Sequence, residues 1–366
     1  MNILIIVSSL TGGGAERVAA CWANGLSNLG NDVSVMTNYS LPITYELNNN
    51  IRQINFPILS SNKISRLFID PIRKIKYYHN IIKDLKIDVV ITVLHITPII
   101  KLALLGLKNK PLFILTDHNA YERPKNAPMS RSQYFSKFYL NKIYDYITVL
   151  TERDKEILNS HNFTNVEVLH NPLFLTPQKI SSDKKENIIL AVGRMDIWEC
   201  KGFDLLINAW NKIYSNYPEW KLRIVGSASK EALHYLQQLK GKNTSIELVN
   251  YTKEINLEYE KASIFVLSSR YEGWGLVLVE ALSQSCACIA CDYNGRQAEI
   301  IQNNKNGILI KTDNVDDLEN AIKSLIDNQD LREKLQQTAP DSVMHFSETE
   351  TAINWMNLLS KLKNNQ

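Results

Sequence analysis

Two acidic side chains eight positions apart, Glu272 and Glu280, bracket the stretch "SSRYEGWGLVLVEAL" at Ser268–Leu282, where two glycines flank a tryptophan before the chain turns apolar. The preceding "SIFVLSS" reads as a buried strand and "LVLVEAL" as the first turns of a helix, which puts Gly273 and Gly275 in the connecting loop. Without side chains there, backbone amides at the helix start can close on a phosphate. Glu272 then sits at the carboxyl edge of the strand, and Glu280 lies several residues along a helix that rises about 1.5 Å per residue. The two carboxylates therefore reach different parts of one extended ligand. A nucleotide sugar suits that division, with one acid near the sugar ring and the other accepting hydrogen bonds from ribose hydroxyls. The plain alternative is a loop that runs into a buried helix.

A second set of charges lies in "AVGRMDIWECKGFDLLINAW". Arg194 leaves the end of a strand, and Lys201 stands just before Gly202 and a helical run, so a forked guanidinium and a point-charge ammonium could grip a diphosphate together. Solvated surface cations are the alternative. Near the N-terminus, "TGGGAER" follows the first strand, and Gly13, Gly14 and Arg17 form either an anion-contacting loop or a tight turn. It is not a dinucleotide fingerprint, because the last glycine position is held by Arg17 and the second strand, "DVSVMTN", does not end in an acid.

Elements of two kinds must position these groups. Short apolar runs alternate with helical segments: "NILIIVS", "DVSVMT", "DVVITVL", "LFILTD", "YITVLT" and "VEVLH" in the first half, and "NIILAVG", "KLRIVG", "SIELVN", "SIFVLSS" and "ACIAC" in the second. Between the halves, "HNPLFLTPQKISSDKKEN" carries Pro172, Pro177 and a charged run, the best candidate for a linker. The expected fold is α/β: two Rossmann-like doubly wound parallel-sheet domains facing a cleft, at 1–170 and 188–345, with a linker at 171–187. A terminal amphipathic helix at 346–366, with Ile353, Met356, Leu359 and Leu362 at helical spacing, is expected to pack back toward the N-terminal domain.

Composition narrows the partners. The 366-residue chain has 45% apolar and 22% charged residues, ordinary for a globular protein of two domains. Its net charge of +3 hides an asymmetry, because residues 1–175 hold 19 Lys/Arg against 13 Asp/Glu. Much of the excess lies in residues 51–110, where 11 basic residues face Asp70, Asp84 and Asp88. No nucleic-acid module accompanies that charge, so an anionic membrane surface or phosphorylated acceptor is favoured over nucleic acid. Within "SNKISRLFIDPIRKIKYYHNIIKDLKID", Leu67, Ile72, Ile75, Ile82 and Leu85 are set among Arg66, Arg73, Lys74, Lys76 and Lys83, a pattern that could rest on anionic lipid or pack on its own domain. The five cysteines are too few and too scattered for a disulfide framework and point to reduced thiols in the cytoplasm. "CACIAC" has no fourth ligand nearby and reads as a strand, so no metal is expected there. The stretch "VVITVLHITPIIKLALLGL", broken by His95, Pro98 and Lys101, does not span a bilayer.

Taken in order, "VGR" at Val192–Arg194, "KGFDLLI" at Lys201–Ile207, "IVG" at Ile224–Gly226, "SRYEGWGLVLVEAL" and the "AEII" that contains Glu299 resemble the motifs of the family 4 retaining glycosyltransferases of GT-B fold, and "GGGAER" extends the likeness to the N-terminus. The resemblance covers most of residues 188–330. It implies that Glu272 and Glu280 form the family's pair of glutamates, that Arg194 and Lys201 bind the donor diphosphate, that the amides around Gly275 and Leu276 bind phosphate, and that His118 in "TDHNAY" faces the donor sugar. It departs from the family in a long loop between Arg194 and Lys201 and in Ser285 and Cys286, which stand where a glycine and a proline-like turn are usual.

The implied activity is retaining, metal-independent transfer of galactose or an N-acetylhexosamine from a UDP-sugar to a polyprenyl-diphosphate-linked glycan in bacterial O-antigen or capsule assembly. Such an enzyme would work at the inner face of the cytoplasmic membrane, without a cofactor. The alternatives are a nucleotide-sugar epimerase of GT-B-like fold and a non-catalytic glycan- or lipid-binding module, which would not need Glu272, Arg194 and Lys201 together.

Overall fold

The computed structural model describes residues 1–93, 98–125 and 127–364, so His95 lies outside the described residues. The chain forms two compact units: Met1–Pro172 with the C-terminal segment from Glu348, and Leu173–Ser347. Each is built on a wholly parallel sheet with helices between its strands.

The first sheet contains β1 (Asn2–Ile6), β2 (Asp32–Thr37), β3 (Arg52–Asn55), β4 (Val89–Val93), β5 (Leu112–Thr116), β6 (Tyr146–Val149) and β7 (Val166–Val168), in the order β3-β2-β1-β4-β5-β6-β7. The second contains β8 (Glu186–Val192), β9 (Lys221–Val225), β10 (Ile246–Val249), β11 (Ala262–Leu267), β12 (Ala287–Asp292) and β13 (Gly307–Lys311), in the order β10-β9-β8-β11-β12-β13. Central strands are covered on both faces and so read as unbroken apolar runs: every residue of β4, β5 and β11 is buried. Register follows from that pattern, with Ile5 of β1 opposite Val35 of β2 on one side and Ile91 of β4 on the other.

Two strands escape the sequence reading, β3 ("RQIN") and β13 ("GILIK"). Both are sheet edges, where only one neighbour covers the backbone, and their residues are mostly exposed or half-buried.

In each sheet the strand order reverses beside the unit's first strand, between β1 and β4 and between β8 and β11. Helices leave such a point toward opposite faces, so the loops at the carboxyl ends diverge and open a crevice. The segment read as a linker is not free. Leu173 N donates to the Phe346 carbonyl (2.6 Å), Gln178 N to the Ser283 carbonyl (2.8 Å) and Ile180 N to Ser285 Oγ (3.0 Å), which lays residues 173–180 along the second unit.

The C-terminal helix, Glu348–Asn364, belongs to the first unit and packs on the helix Gly14–Asn28. Gly25 permits the close approach, since a Cβ there would stand 2.8 Å from Ala352 Cβ. Its fully buried residues are Ala352, Trp355, Leu359 and Leu362, while Ile353 and Met356 of the expected stripe are only half-buried. Ion pairs from Lys361 to Glu167 (2.6 Å) and Lys363 to Asp88 (3.2 Å) tie down its far end.

Candidate active site

At the reversal point of the second sheet, β8 delivers Arg194 and β11 delivers Ser268 to Glu272. The long loop after Arg194 is not irregular: it folds into a 3-10 turn, Met195–Ile197, and a single helical turn, Trp198–Lys201. Asp196 Oδ1 accepts from Ser229 N (2.7 Å), fastening this loop to the start of the helix Lys230–Lys240. Gly202 ends the turn at φ 63, and a Cβ at that residue would collide with the Ser268 carbonyl. Ser268 Oγ in turn donates to the Lys201 carbonyl (2.8 Å). Glycine at 202 thus lets the backbone carrying Lys201 lie directly against the backbone leading to Glu272.

The two side chains meet. Lys201 Nζ lies 2.6 Å from Glu272 Oε2, with 17% and 22% of the side chains exposed, and Ser269 Oγ adds a longer contact to the same oxygen (3.4 Å). Burial works against charge on Lys201, yet the neighbouring Glu272 carboxylate outweighs it and raises the ammonium above its ordinary value, so Lys201 is a cation at any working pH. Arg194 is exposed and near enough to oppose that charge, so a second cation stands near Lys201. Three residues on, Gly275 starts the helix Leu276–Ser283 at φ 112 with no side-chain cap. The amides of Gly275, Leu276 and Val277 make no hydrogen bond to any described residue. Gly273 is half-buried in the loop beside Trp274, which is 2% exposed and edge-on to Phe346 (5.3 Å). Cations and uncapped amides at one loop cluster are groups of the kind that meet an anion.

Known proteins place the chain in a family. Residues 12–175 match the family model described as Glycosyltransferase Family 4, and residues 175–342 match the model described as Glycosyl transferases group 1. The chain belongs to the family 4 glycosyltransferases. Among its relatives is a Campylobacter jejuni enzyme named GalNAc-alpha-(1->4)-GalNAc-alpha-(1->3)-diNAcBac-PP-undecaprenol alpha-1,4-N-acetyl-D-galactosaminyltransferase, 26% identical over 100% of this chain and 99% of that one. The amylovoran biosynthesis glycosyltransferase AmsD of Erwinia amylovora is 26% identical over 98% of this chain and 99% of its own. The fold is that of Staphylococcus aureus TarM, solved as a mutant in complex with fondaparinux, alpha-GlcNAc-glycerol and UDP: TM-score 0.75 and 14% identity, over 98% of this chain and 99% of that one.

Other residues of the glycosyltransferase differ from a simple reading. Glu280 does not stand open. It is 6% exposed and accepts a hydrogen bond from the Tyr259 hydroxyl (3.0 Å), inside the helix that begins at Leu276. Ser285 occupies a left-handed turn at φ 57, the backbone state that a glycine would favour, and its hydroxyl donates to the Gln178 carbonyl (2.9 Å) while accepting from Ile180 N. Cys286, Cys288 and Cys291 are buried strand and turn residues, and the Cys286 and Cys288 thiols donate to the Tyr259 and Cys286 carbonyls (3.2 and 3.4 Å).

The sequence reading passed over Arg270. Its guanidinium makes a fork to Asp204 (2.7 and 2.8 Å) and further bonds to Asp313 (2.8 Å) and the Glu199 carbonyl (2.6 Å), while its amide donates to the Cys200 carbonyl (2.9 Å). Arg270 thereby staples the strand end that carries Glu272 to the turn that carries Lys201. The signal available in the sequence was an arginine between two buried serines and a motif glutamate.

In the first unit, His118 leaves the end of β5 between Trp22 (ring centroids 5.5 Å apart) and Thr116, whose Oγ1 lies 3.3 Å from His118 Nε2. Trp355 of the C-terminal helix backs Trp22 edge-on at 5.2 Å. Burial depresses the His118 pKa to about 4, against weaker opposing effects of Asp117 and Asn171, so the imidazole is neutral at ordinary pH. Asp117 does not protonate it because that carboxylate is already matched by Lys137 at 2.6 Å. The Thr116 hydroxyl also lies 3.3 Å from the Thr92 carbonyl, and Asn171 is a second polar side chain that reaches the imidazole.

The glycine loop opens the helix Gly14–Asn28, with Gly13 and Gly14 exposed. Gly13 N bonds to the Tyr45 hydroxyl (3.3 Å), and the Glu16 carboxylate folds back over Gly13, so the chain's own acid stands at this helix start. Arg17 is half-buried one turn on, its amide bonded to the Gly13 carbonyl (3.1 Å). The basic segment divides in two. Ile75, Ile82 and Leu85 pack on the first unit's core, whereas Leu67 and Ile72 are each 68% exposed, beside exposed Arg66, Arg73 and Lys76 and half-buried Lys74.

Proposed function

We propose that this glycosyltransferase moves a sugar, galactose or an N-acetylhexosamine, from a UDP-sugar to a polyprenyl-diphosphate-linked glycan in O-antigen or capsule assembly, with retention at the anomeric carbon. The observation that carries the reading is the 2.6 Å Lys201–Glu272 contact with Arg194 alongside and the uncapped amides of Gly275 and Leu276 close in sequence. As the glycosidic bond breaks, negative charge grows on the departing diphosphate. Lys201 meets it as a point charge, Arg194 as a fork, and the helix-start amides as fixed dipoles that need no reorganisation. Those groups take the place of a divalent metal.

Glu272 is a carboxylate held by a cation, so it accepts hydrogen bonds from sugar hydroxyls rather than donating a proton. Neutral His118 hydrogen-bonds the sugar without adding charge. Glu280 shares its carboxylate between Tyr259 and the ribose hydroxyls. The acceptor hydroxyl attacks the face from which the diphosphate leaves, and the departing phosphate oxygen takes its proton, so no enzyme nucleophile is required. The Campylobacter relative, named for its action on an undecaprenol-diphosphate glycan, supports a lipid-linked acceptor.

Such an acceptor calls for membrane contact, and no helix among the described residues is long and apolar enough to cross a bilayer. Ile58, Ile64, Leu67, Phe68 and Ile72, all more than 60% exposed, lie among Lys63, Arg66, Arg73, Lys74 and Lys76. We assign this surface to the anionic inner face of the cytoplasmic membrane. Flotation with phosphatidylglycerol vesicles should recover the chain at low salt and lose it at high salt; no recovery at low salt ends that assignment.

Calorimetric titration with UDP, GDP and their sugars tests the core of the reading. UDP should bind, and Lys201→Ala should weaken it at least roughly tenfold through loss of one charged contact. A chain that binds no nucleotide diphosphate is not this enzyme.

A further inference from the structure

The loop after β12 is folded around one carboxylate. Asp292, the last residue of that strand, accepts from the amides of Gln297 (3.0 Å) and Ala298 (3.3 Å) with Oδ1 and from Gly295 N (3.1 Å) with Oδ2. These bonds set Gln297 at the start of a 3-10 turn, Gln297–Glu299, where it is fully buried. Both ends of its side-chain amide are committed: Oε1 accepts from Tyr293 N (2.7 Å), and Nε2 donates to the Trp274 carbonyl (3.1 Å). The amide can be placed only one way round, since a backbone N–H only donates and a carbonyl only accepts.

The bond to Trp274 reaches the loop that carries Glu272 and Gly275. No described peptide bond is cis, so the C=O and N–H of the unit joining Trp274 to Gly275 point in opposite directions. A carbonyl held by Gln297 therefore turns the Gly275 N–H away from the loop after β12. Gly275 is itself buried, yet that N–H has no partner among the described residues. A buried backbone donor left unmade is costly unless a ligand or a water completes it. Glycine tolerates either sign of φ, so at Gly275, now at φ 112, the backbone alone does not forbid rotation of this peptide unit. Rotation would put a carbonyl oxygen where the donor stands, and an oxygen there repels a phosphate.

We infer that Gln297 is a positioning residue for the donor diphosphate: by holding the Trp274 carbonyl it keeps the Gly275 N–H turned toward the phosphate oxygens. The inference rests on the sugar-transfer reading and adds to it a buried side chain, 23 residues from Trp274 in sequence, that acts through the backbone. Preorganisation of this kind matters most where charge grows as the diphosphate departs.

One variant and one measurement on the unaltered chain test it. Gln297→Met keeps the length of the side chain and loses the donor to Trp274. In calorimetric titration the variant, folded by circular dichroism, should bind UDP about tenfold more weakly than the wild type, the effect of one lost hydrogen bond to a charged group. Uridine, which carries no phosphate, should bind both proteins alike in ligand-observed NMR, whereas a residue that merely supports the fold would weaken uridine and UDP together. In the wild type, hydrogen exchange should show UDP protecting the amides of residues 273–278. Unchanged UDP affinity in the folded variant overturns the inference, as does an equal loss for uridine. Absence of protection at 273–278 in the UDP-bound wild type overturns it whether or not the variant folds. UDP failing to bind the wild type would instead remove the sugar-transfer reading, so the two failures are distinct.

Discussion

The two sheets share the same order for their first six strands, counted from each unit's own first strand, yet their carboxyl edges carry opposite chemistry. In the second unit the edge is built on charge: Lys201, Glu272 and Arg194 lie together, and Arg270 with Asp204 braces them. In the first, Asp117 and Lys137 neutralise each other and His118 is left an uncharged imidazole against Trp22. The difference suits the proposed function. A departing diphosphate is stabilised by fixed cations, whereas sugar hydroxyls are best oriented by groups that hydrogen-bond without attracting an ion.

The largest effects should come from the charged edge. Arg194→Ala and Glu272→Ala should each lower kcat by orders of magnitude, about 10²–10³ for loss of one preorganised charge, in proteins that remain folded by circular dichroism. Combining Lys201→Ala with Glu272→Ala should cost far less than the product of the two single losses, because each single change leaves its partner unpaired. Rates near wild type for Arg194→Ala and Glu272→Ala would erase the contrast between the two edges.

The neutral edge makes a different prediction, with a sign fixed by the depressed pKa. An unfolded histidine titrates near 6.5, but His118 in the folded chain titrates at about 4, so between those values the unfolded state binds more protons. Stability contributed by neutral His118 is complete above pH 6.5 and is lost as pH falls toward 4. The loss approaches roughly 3 kcal/mol. Urea unfolding of wild type and His118→Asn at pH 7 and pH 4.5 isolates it: the variant should lose less stability than the wild type on acidification. Equal losses would mean that His118 charges freely and that this edge is not neutral.

Much of this was legible in the sequence, for reasons that differ by element. Eleven strands could be read from apolar runs, including the half-buried edges β7 and β10, whereas the edge strand β3 offers a single apolar residue in "RQIN" and β13 lies at the other sheet's edge with only Gly307 buried. The segment from Asn2 to Ile6 could be read alone; the pairing of Lys201 with Glu272, 71 residues apart, could be expected only from motif order. Arg270 was opaque because its partners Glu199, Asp204 and Asp313 come from three separate segments that the fold brings together. Proline and charge in residues 171–187 suggested a linker; that hydrogen bonds from backbone amides fix its middle to the second unit is something no side-chain pattern reveals.

The smallest effect tests that last point. Ser285 holds a left-handed backbone that costs an L-residue roughly 1–2 kcal/mol, and its hydroxyl offsets some of that through bonds to Gln178 and Ile180, each contributing about 0.5–1.5 kcal/mol. Ser285→Gly relieves the strain and loses the bonds, two changes that nearly cancel. Ser285→Ala keeps the strain and loses the bonds, and should fall about 2 kcal/mol below wild type. Denaturant melts should therefore rank Ser285 and its glycine variant together and the alanine variant clearly lower. If glycine instead stabilises the protein by the full strain energy, the hydroxyl contributes nothing. The segment after Pro172 would then be held by its backbone bonds to Phe346 and Ser283, the Gln284 bond to the Thr176 carbonyl (2.9 Å) and the Lys179–Asp341 pair (2.7 Å), and Ser285 would be a strained substitute for the glycine usual in the family.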